Sequence, residues 1–362
     1  MRGGTSRALV FHARDLPAGR DGWAPLFCGA LGSPDPGERQ LDGLGGGISS
    51  LSKVAIVGSP SVADADVDYT FAQVSVSGTN VSYRGNCGNI SAAIGPFAVD
   101  EGLVPARDGE ALVRIHNTNT GKMIHARFGV VGGKAQVSGD FSLQGVAGTG
   151  APIFLDFIEP GGAATGRLLP TGSAQEVLDV PGVGAVAVSL VDAANPTVFV
   201  AAESLGLGGD EAPAAIGAAP GLLTRLDALR VAAAVAMGVA GDEREAREEV
   251  PNLPLVALLS TSQGIEADIT VRMISAGQPH RATPLTAAMC VAVAARIPDT
   301  LVARIMGDGV GAGDPVRIAH PTGILPVEAV LSVRNGQPHA ERATVIRTAR
   351  RLMEGRVLVP VR

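Results

Sequence analysis

The segment YRGNCGNISAAIGPFAV, residues 83–99, decides how the chain is read. It sets one cysteine, Cys87, between two Gly-Asn pairs and directly ahead of an apolar run with helical character. A structural cysteine usually sits inside an apolar segment as a small hydrophobe. Cys87 instead occupies a loop at an expected helix start. There, unpaired backbone N–H groups and the positive end of the helix dipole favour thiolate over thiol. Gly85 and Gly88 allow close approach by a ligand, while Asn86 and Asn89 offer amide donors. A tight turn carrying an incidental cysteine is the plainer alternative. Cys28 and Cys290 lie inside apolar helical patterns and read as core.

Outward from that segment, 362 residues suffice for two domains, and 46% apolar residues suffice for a large core. With aromatics at 3%, the core must be built from Val, Ala, Leu and Ile. The longest apolar runs, such as 231–237, are far too short to span a membrane, and three scattered cysteines make no disulfide framework. No signal peptide precedes the first motif, so a cytoplasmic protein with reduced thiols is expected. A net charge of −6 argues against a nucleic-acid partner, which calls for a basic face. Basic residues are almost all arginine, with lysine only at 53, 122 and 134. Codon usage explains that bias, although a retained lysine keeps the option of losing its proton that arginine lacks.

Forty-eight glycines and twenty-four prolines punctuate short apolar runs, predicting many short strands and a few helices. Strands are expected at 54–58, 67–76, 111–116, 123–131 and 152–158, with half-buried alternation clearest in VDYTFAQVSV (67–76). Helices are expected at 20–31, 89–103, 221–238 and 284–296. The last two are alanine-rich and read as threading the middle of a domain. The segment 241–250 (GDEREAREEV) reads as a solvated helix end or loop. A Gly/Pro-rich stretch, 159–183, marks a composition shift, and on either side strands, a polar turn and an apolar helix recur in that order. Two similar domains are therefore expected.

Lys53 follows a Gly/Ser-rich loop and immediately precedes an apolar strand in GGGISSLSKVAIV (45–57). Partial desolvation there would lower its pKa and suit it to acid–base work; an ordinary strand-edge lysine fits equally. The loop lacks the order of a phosphate-binding P-loop and leads into a strand, which argues against a nucleotide site. In MRGGTSR (1–7), Arg2, Thr5 and Ser6 around two glycines could clamp a carboxylate or form a plain turn. In the second half, QPHRATPLTAA (278–288) places His280 and Thr286 ahead of and on the first turn of a helix, where carboxylates bind readily. AHPTGILPV (319–327) adds Thr322 in another Gly/Pro turn. The six histidines show no metal spacing, so no metal is expected.

Several of these segments together resemble one family. MRGGTSR, LGSPDP (31–36), QLDGLGGGISSLSKVAIV (40–57), DVDYTFAQV (66–74), GNCGNISAAIGPFAVDEGLV (85–104), NTNTG (117–121), LPTG (169–172) and RRLMEGRVLVP (350–360) are similar to the PrpF family. That group holds 2-methylaconitate isomerases, 4-oxalomesaconate tautomerases and methylitaconate isomerases. The resemblance is dense through residue 121 and looser over 180–340. It implies the diaminopimelate-epimerase-like α/β (α+β) fold: two similar domains, each a curled mixed sheet around a central helix, with the site between them. The last strand would return to the first domain, giving 1–178 plus 344–362 and 179–343. It also implies a proton moved between two carbons of an unsaturated carboxylate without metal or organic cofactor, with Lys53 and Cys87 as the active-site pair.

The expected activity is thus an allylic 1,3-proton shift on a small di- or tricarboxylate such as 2-methylaconitate, aconitate or 4-oxalomesaconate. Amides around Asn86, Gly88 and Asn89, with Arg2, Thr5 and Ser6, would hold one carboxylate; His280, Thr286 and Thr322 would hold another. Racemases of this fold oppose two cysteines, whereas here Thr286 stands at the second helix start and Cys290 lies inside it. An amino- or hydroxy-acid racemase or epimerase, or a non-catalytic carboxylate-binding accessory protein, are the alternatives. No membrane partner is expected, and a homodimer is one assembly open to the chain.

Overall fold

Strand Val67–Val74 shows how the sequence builds the first half of the chain. Its alternation predicts one wet face, yet nearly every residue in it is buried. Ala72 and Val74 pack with Phe27 and Leu31 of helix Trp23–Leu31, while Tyr69 and Phe71, on the opposite face, are also buried. The computed structural model describes residues 1–83, 86–262, 266–275, 277–307, 311 and 313–359. The expected strands form at Lys53–Gly58, Val67–Val74, Gly109–Asn117, Lys122–Val131 and Ile153–Ile158.

The chain divides into two compact units, Met1–Asp156 with Ile346–Arg362, and Phe157–Val345. The Gly/Pro-rich stretch 159–183 falls within the second. In the first unit, Ser6–His12 runs parallel to Lys53–Gly58, which pairs antiparallel with Val67–Val74. Val67–Val74 then runs parallel to Gly109–Asn117, itself antiparallel to Lys122–Val131. Helix Gly88–Asp100 touches several of these strands, and its residues from Ile90 through Val99 are all buried. The helix approaches strand Lys122–Val131 so closely that a Cβ on Gly95 would stand 2.7 Å from the Phe128 ring.

The second unit repeats the plan. Asn195–Ala201 lies parallel to Leu255–Ser260, then Ile269–Ser275 antiparallel, Val316–His320 parallel and Gly323–Arg334 antiparallel. Helix Leu285–Ala294 is buried except at Thr286. Equivalent ion pairs mark the repeat: Arg114 with Asp66 and Arg317 with Asp268, each at 2.7 Å, each arginine also donating its backbone N–H to that aspartate. The α/β class, with a mixed sheet and a buried helix in each unit, agrees with the sequence reading.

Two local expectations need correction. Helix Leu222–Ala236 does not thread the middle of its unit. Leu222, Leu226, Leu229 and Ala233 are buried in the second unit's core, while Thr224 and Val235 are exposed, so the helix covers the sheet. The charged segment 241–250 is more than solvated chain. Asp242 caps helix Glu243–Glu248 by accepting from the Glu245 N–H, and Ala246 is fully buried against Val231 and Ala234.

Candidate functional site

Cys87 is the N-cap of helix Gly88–Asp100, half-buried and unbridged. Its carbonyl accepts the first helical bond from the Ser91 N–H at 3.0 Å and a second from Ser91 Oγ at 3.1 Å. The N–H groups of the first turn are thus left facing the thiol's end of the helix. Three asparagines fix the loop that delivers it. Asn86 Oδ1 accepts from Asn117 Nδ2 and from Ser91 Oγ, each at 3.3 Å. Asn119 Nδ2 donates to the carbonyls of Tyr83 at 2.7 Å and Phe71 at 2.8 Å, while its Oδ1 accepts from the Phe71 N–H at 2.7 Å. The NTNTG segment is therefore a clamp on the cysteine loop, with Asn117 fully buried.

Lys53 opens strand Lys53–Gly58 and is 9% exposed. Its Nζ donates to Gln73 Oε1 at 2.5 Å and lies 5.0 Å from the centre of the Phe71 ring. Gln73 Nε2 is held in turn by the carbonyls of Ser49 at 3.0 Å and Ser52 at 2.9 Å, so its oxygen must face the amine. The preceding Gly/Ser-rich loop is tied down by Gln40, which donates to Ser33 and Ser52 hydroxyls and accepts from the Gly46 and Gly47 N–H groups. Its glycines pack the loop onto that glutamine.

Tyr69, Phe71 and Gln73 share one face of strand Val67–Val74 by its two-residue alternation. Phe71 and Gln73 hold the Lys53 amine. Tyr69 is fully buried with its hydroxyl unpartnered among the described residues, and burial first, then the charge of Cys87, push its phenol well above the ordinary value. One strand face thus carries the two residues that hold the amine and a phenol that feels the charge of the thiol.

The turn containing Arg2, Thr5 and Ser6 abuts the same helix start. Gly4, at φ +51°, comes so close that a Cβ there would stand 2.2 Å from Asn89 Oδ1. Arg2 Nη1 donates to the carbonyls of Gly4 and Thr348 and to Thr348 Oγ1, at 2.9–3.0 Å, so part of its fork holds the turn itself. Ser6 is buried and Thr5 exposed. Gly88 is the first residue of the helix and buried. His280, Thr286 and Thr322 belong to the second unit. His280 Nδ1 closes its own turn through the Ala282 backbone, Thr286 is the second residue of helix Leu285–Ala294, and Thr322 Oγ1 is 3.1 Å from His320 Nδ1. Pro284 is the N-cap there, and Cys290 is fully buried with its thiol pushed up to about 12. Among the described residues, no group of three or more His, Cys, Asp or Glu is placed to hold a metal.

The sequence reading missed Gln73, Asn117 and Asn119. Gln73 left a trace, a polar residue on the aromatic face of a buried strand.

By its fold the chain is an α/β protein with the architecture of a methylitaconate-delta-isomerase crystal structure: TM-score 0.87 and 43% identity, covering 98% of this chain and 92% of that one. The chain belongs to the PrpF family, whose model, described as PrpF protein, matches residues 1–360. It is 43% identical over 371 residues to the 3-methylitaconate isomerase of Eubacterium barkeri, covering 99% of this chain and 96% of the relative. It is 38% identical to the 2-methyl-aconitate isomerase of Shewanella oneidensis, covering 99% and 96%. A third relative, the (4E)-oxalomesaconate Delta-isomerase of Novosphingobium, is 36% identical with the same coverage.

Proposed function

We propose that the protein is a cofactor-independent isomerase that moves a proton between two carbons of an unsaturated di- or tricarboxylate, shifting the double bond. The observation carrying this reading is the shared strand face, where Phe71 and Gln73 hold the Lys53 amine and Tyr69 lies within reach of the charge of Cys87. The relatives' names, all isomerases of small unsaturated acids, supply the substrate class. A carbon acid flanked by an alkene and carboxylates is weak, so the base must be aligned and the growing charge must meet fixed donors. One of Lys53 and Cys87 takes the proton from the first carbon of the allylic system, the other returns one to the third, and N–H groups at the helix start face the dienolate charge. Arg2, Thr5, Ser6, Asn86, Gly88 and Asn89 hold one carboxylate, and His280, Thr286 and Thr322 another. A two-thiol inversion at a single carbon is disfavoured by Pro284 at the second helix start and by the deep burial of Cys290. The setting is the cytoplasm, where Cys87 stays reduced.

The test is a panel of 2-methylaconitate, trans-aconitate, 4-oxalomesaconate and 3-methylitaconate followed by ultraviolet absorbance and proton NMR. Double-bond migration in at least one acid is expected. Inversion of a saturated centre with the skeleton unchanged, or no turnover of any acid, would overturn the proposal.

A further inference from the structure

Beside Asn89 a buried positive charge has no carboxylate counterpart among the described residues. Arg347, the last residue of strand Gln337–Arg347, is 6% exposed. Its Nε donates to Asn89 Oδ1 at 3.1 Å and its Nη1 to the Ile346 carbonyl at 2.7 Å. Burial draws its pKa down to about 10, and no described carboxylate lifts it. Other buried arginines are compensated. Arg230, also 6% exposed, pairs with Asp227 at 2.8 Å, and Arg272 has the charges of Asp210 and Glu211 in range. An isolated buried cation is costly, and its retention calls for an anion from elsewhere.

The neighbouring donors point the same way. Because Asn89 Oδ1 is taken by Arg347, the asparagine's Nδ2 is turned away from it, and neither that Nδ2 nor Arg347 Nη2 donates to any described residue. Neither atom is among the fully buried polar atoms left without a partner, so each keeps accessible surface. Asn89 is also the second residue of helix Gly88–Asp100, where backbone N–H groups have no acceptor within the helix. Two side-chain donors and a helix start therefore converge around one cation.

We propose that Arg347, together with Asn89 Nδ2, seats one carboxylate of a polycarboxylate ligand at the start of helix Gly88–Asp100. The seat rests on the isomerase reading for the identity of its ligand. The guanidinium supplies the charge, and Asn89, oriented by Nε, supplies the second donor of the pair that a carboxylate accepts. Selectivity follows: the site favours acids with a further carboxylate over their monocarboxylate analogues.

The experiment is calorimetric titration with propane-1,2,3-tricarboxylate, a saturated tricarboxylate that has no allylic proton to shift, alongside turnover of the unsaturated panel. Arg347→Gln keeps a donor for Asn89 but removes the charge. It is expected to weaken binding about 10- to 100-fold and raise KM more than it lowers kcat. Arg347→Lys keeps the charge without the fork, is expected to lose less, and carries the test should the glutamine variant not fold. Wild-type-like affinity in whichever variant folds, or no binding by the wild type, would overturn the seat. If the seat fails while double-bond migration persists, the isomerase reading stands; if Arg347→Gln abolishes binding but no acid isomerises, the reading falls and the seat remains.

Discussion

Lys53 and Gln73 are direct cross-strand partners, and the lysine's Nζ donates to the glutamine's Oε1 at 2.5 Å. The two carbonyls that hold the glutamine's Nε2 leave its oxygen no other orientation. An amide oxygen accepts from an ammonium and from a neutral amine alike, so the contact positions the nitrogen without trapping its proton. A carboxylate in the same place would pair with the ammonium and hold it charged.

That contrast gives the first prediction. Gln73→Glu should hold the amine in an ion pair and lower kcat by about 10-fold or more, with KM less affected. Gln73→Leu should also lower kcat, because the amine loses the acceptor that orients it. Wild-type kcat in both variants would mean that this contact does not position Lys53 for turnover.

Asn119 joins Phe71 to Tyr83 through three hydrogen bonds. Asn119→Ala leaves buried backbone groups unpaired and should cost roughly 1–3 kcal/mol of stability. Turnover should fall further than stability explains, because the Cys87 loop loses its clamp. Denaturant unfolding and kcat measured on the same preparation check both.

Gly4 occupies left-handed backbone against Asn89. Gly4→Ala meets both the unfavourable φ and the asparagine's oxygen, and should cost about 1–3 kcal/mol. Its signature beyond stability is a raised KM, since Asn89 must move. Thermal unfolding and steady-state kinetics read the two effects.

Glu101 ends the first unit's buried helix, and its carboxyl is held below the usual range by His12 at 2.9 Å first and then by Arg351 at 2.6 Å. A depressed folded pKa contributes stability above the unfolded value, and that stability is lost as pH falls through the folded one. Glu101→Gln should therefore flatten the decline of Tm between roughly pH 5 and pH 3. An acid limb as steep as the wild type's would remove the pair from the account.

What was legible in the sequence were local patterns. Cys87 at a helix start followed from its Gly-Asn flanks and the apolar run behind it, and Lys53 from its place at the head of an apolar strand. The groups that hold them were not legible, because they come from far along the chain. Asn119 reaches Tyr83 across 36 residues, and Arg347 reaches Asn89 across 258. Helix Leu222–Ala236 was misplaced for a different reason: alanine suits a helix that threads a unit and one that covers a sheet, so its composition does not choose between them. At 241–250 the cap was present in the letters, Asp242 three residues before Glu245, but the density of charge masked it.

The central claim, that Lys53 and Cys87 carry the proton between them, is tested most directly by deuterium exchange. An acid turned over by the wild type is incubated in D2O with wild type, Cys87→Ser and Lys53→Ala, and label is followed by NMR at both allylic carbons. The account predicts label at both carbons with the wild type. It also predicts turnover reduced by on the order of 100-fold or more in each variant, with Tm little changed. Near-normal turnover and labelling by both variants would contradict it.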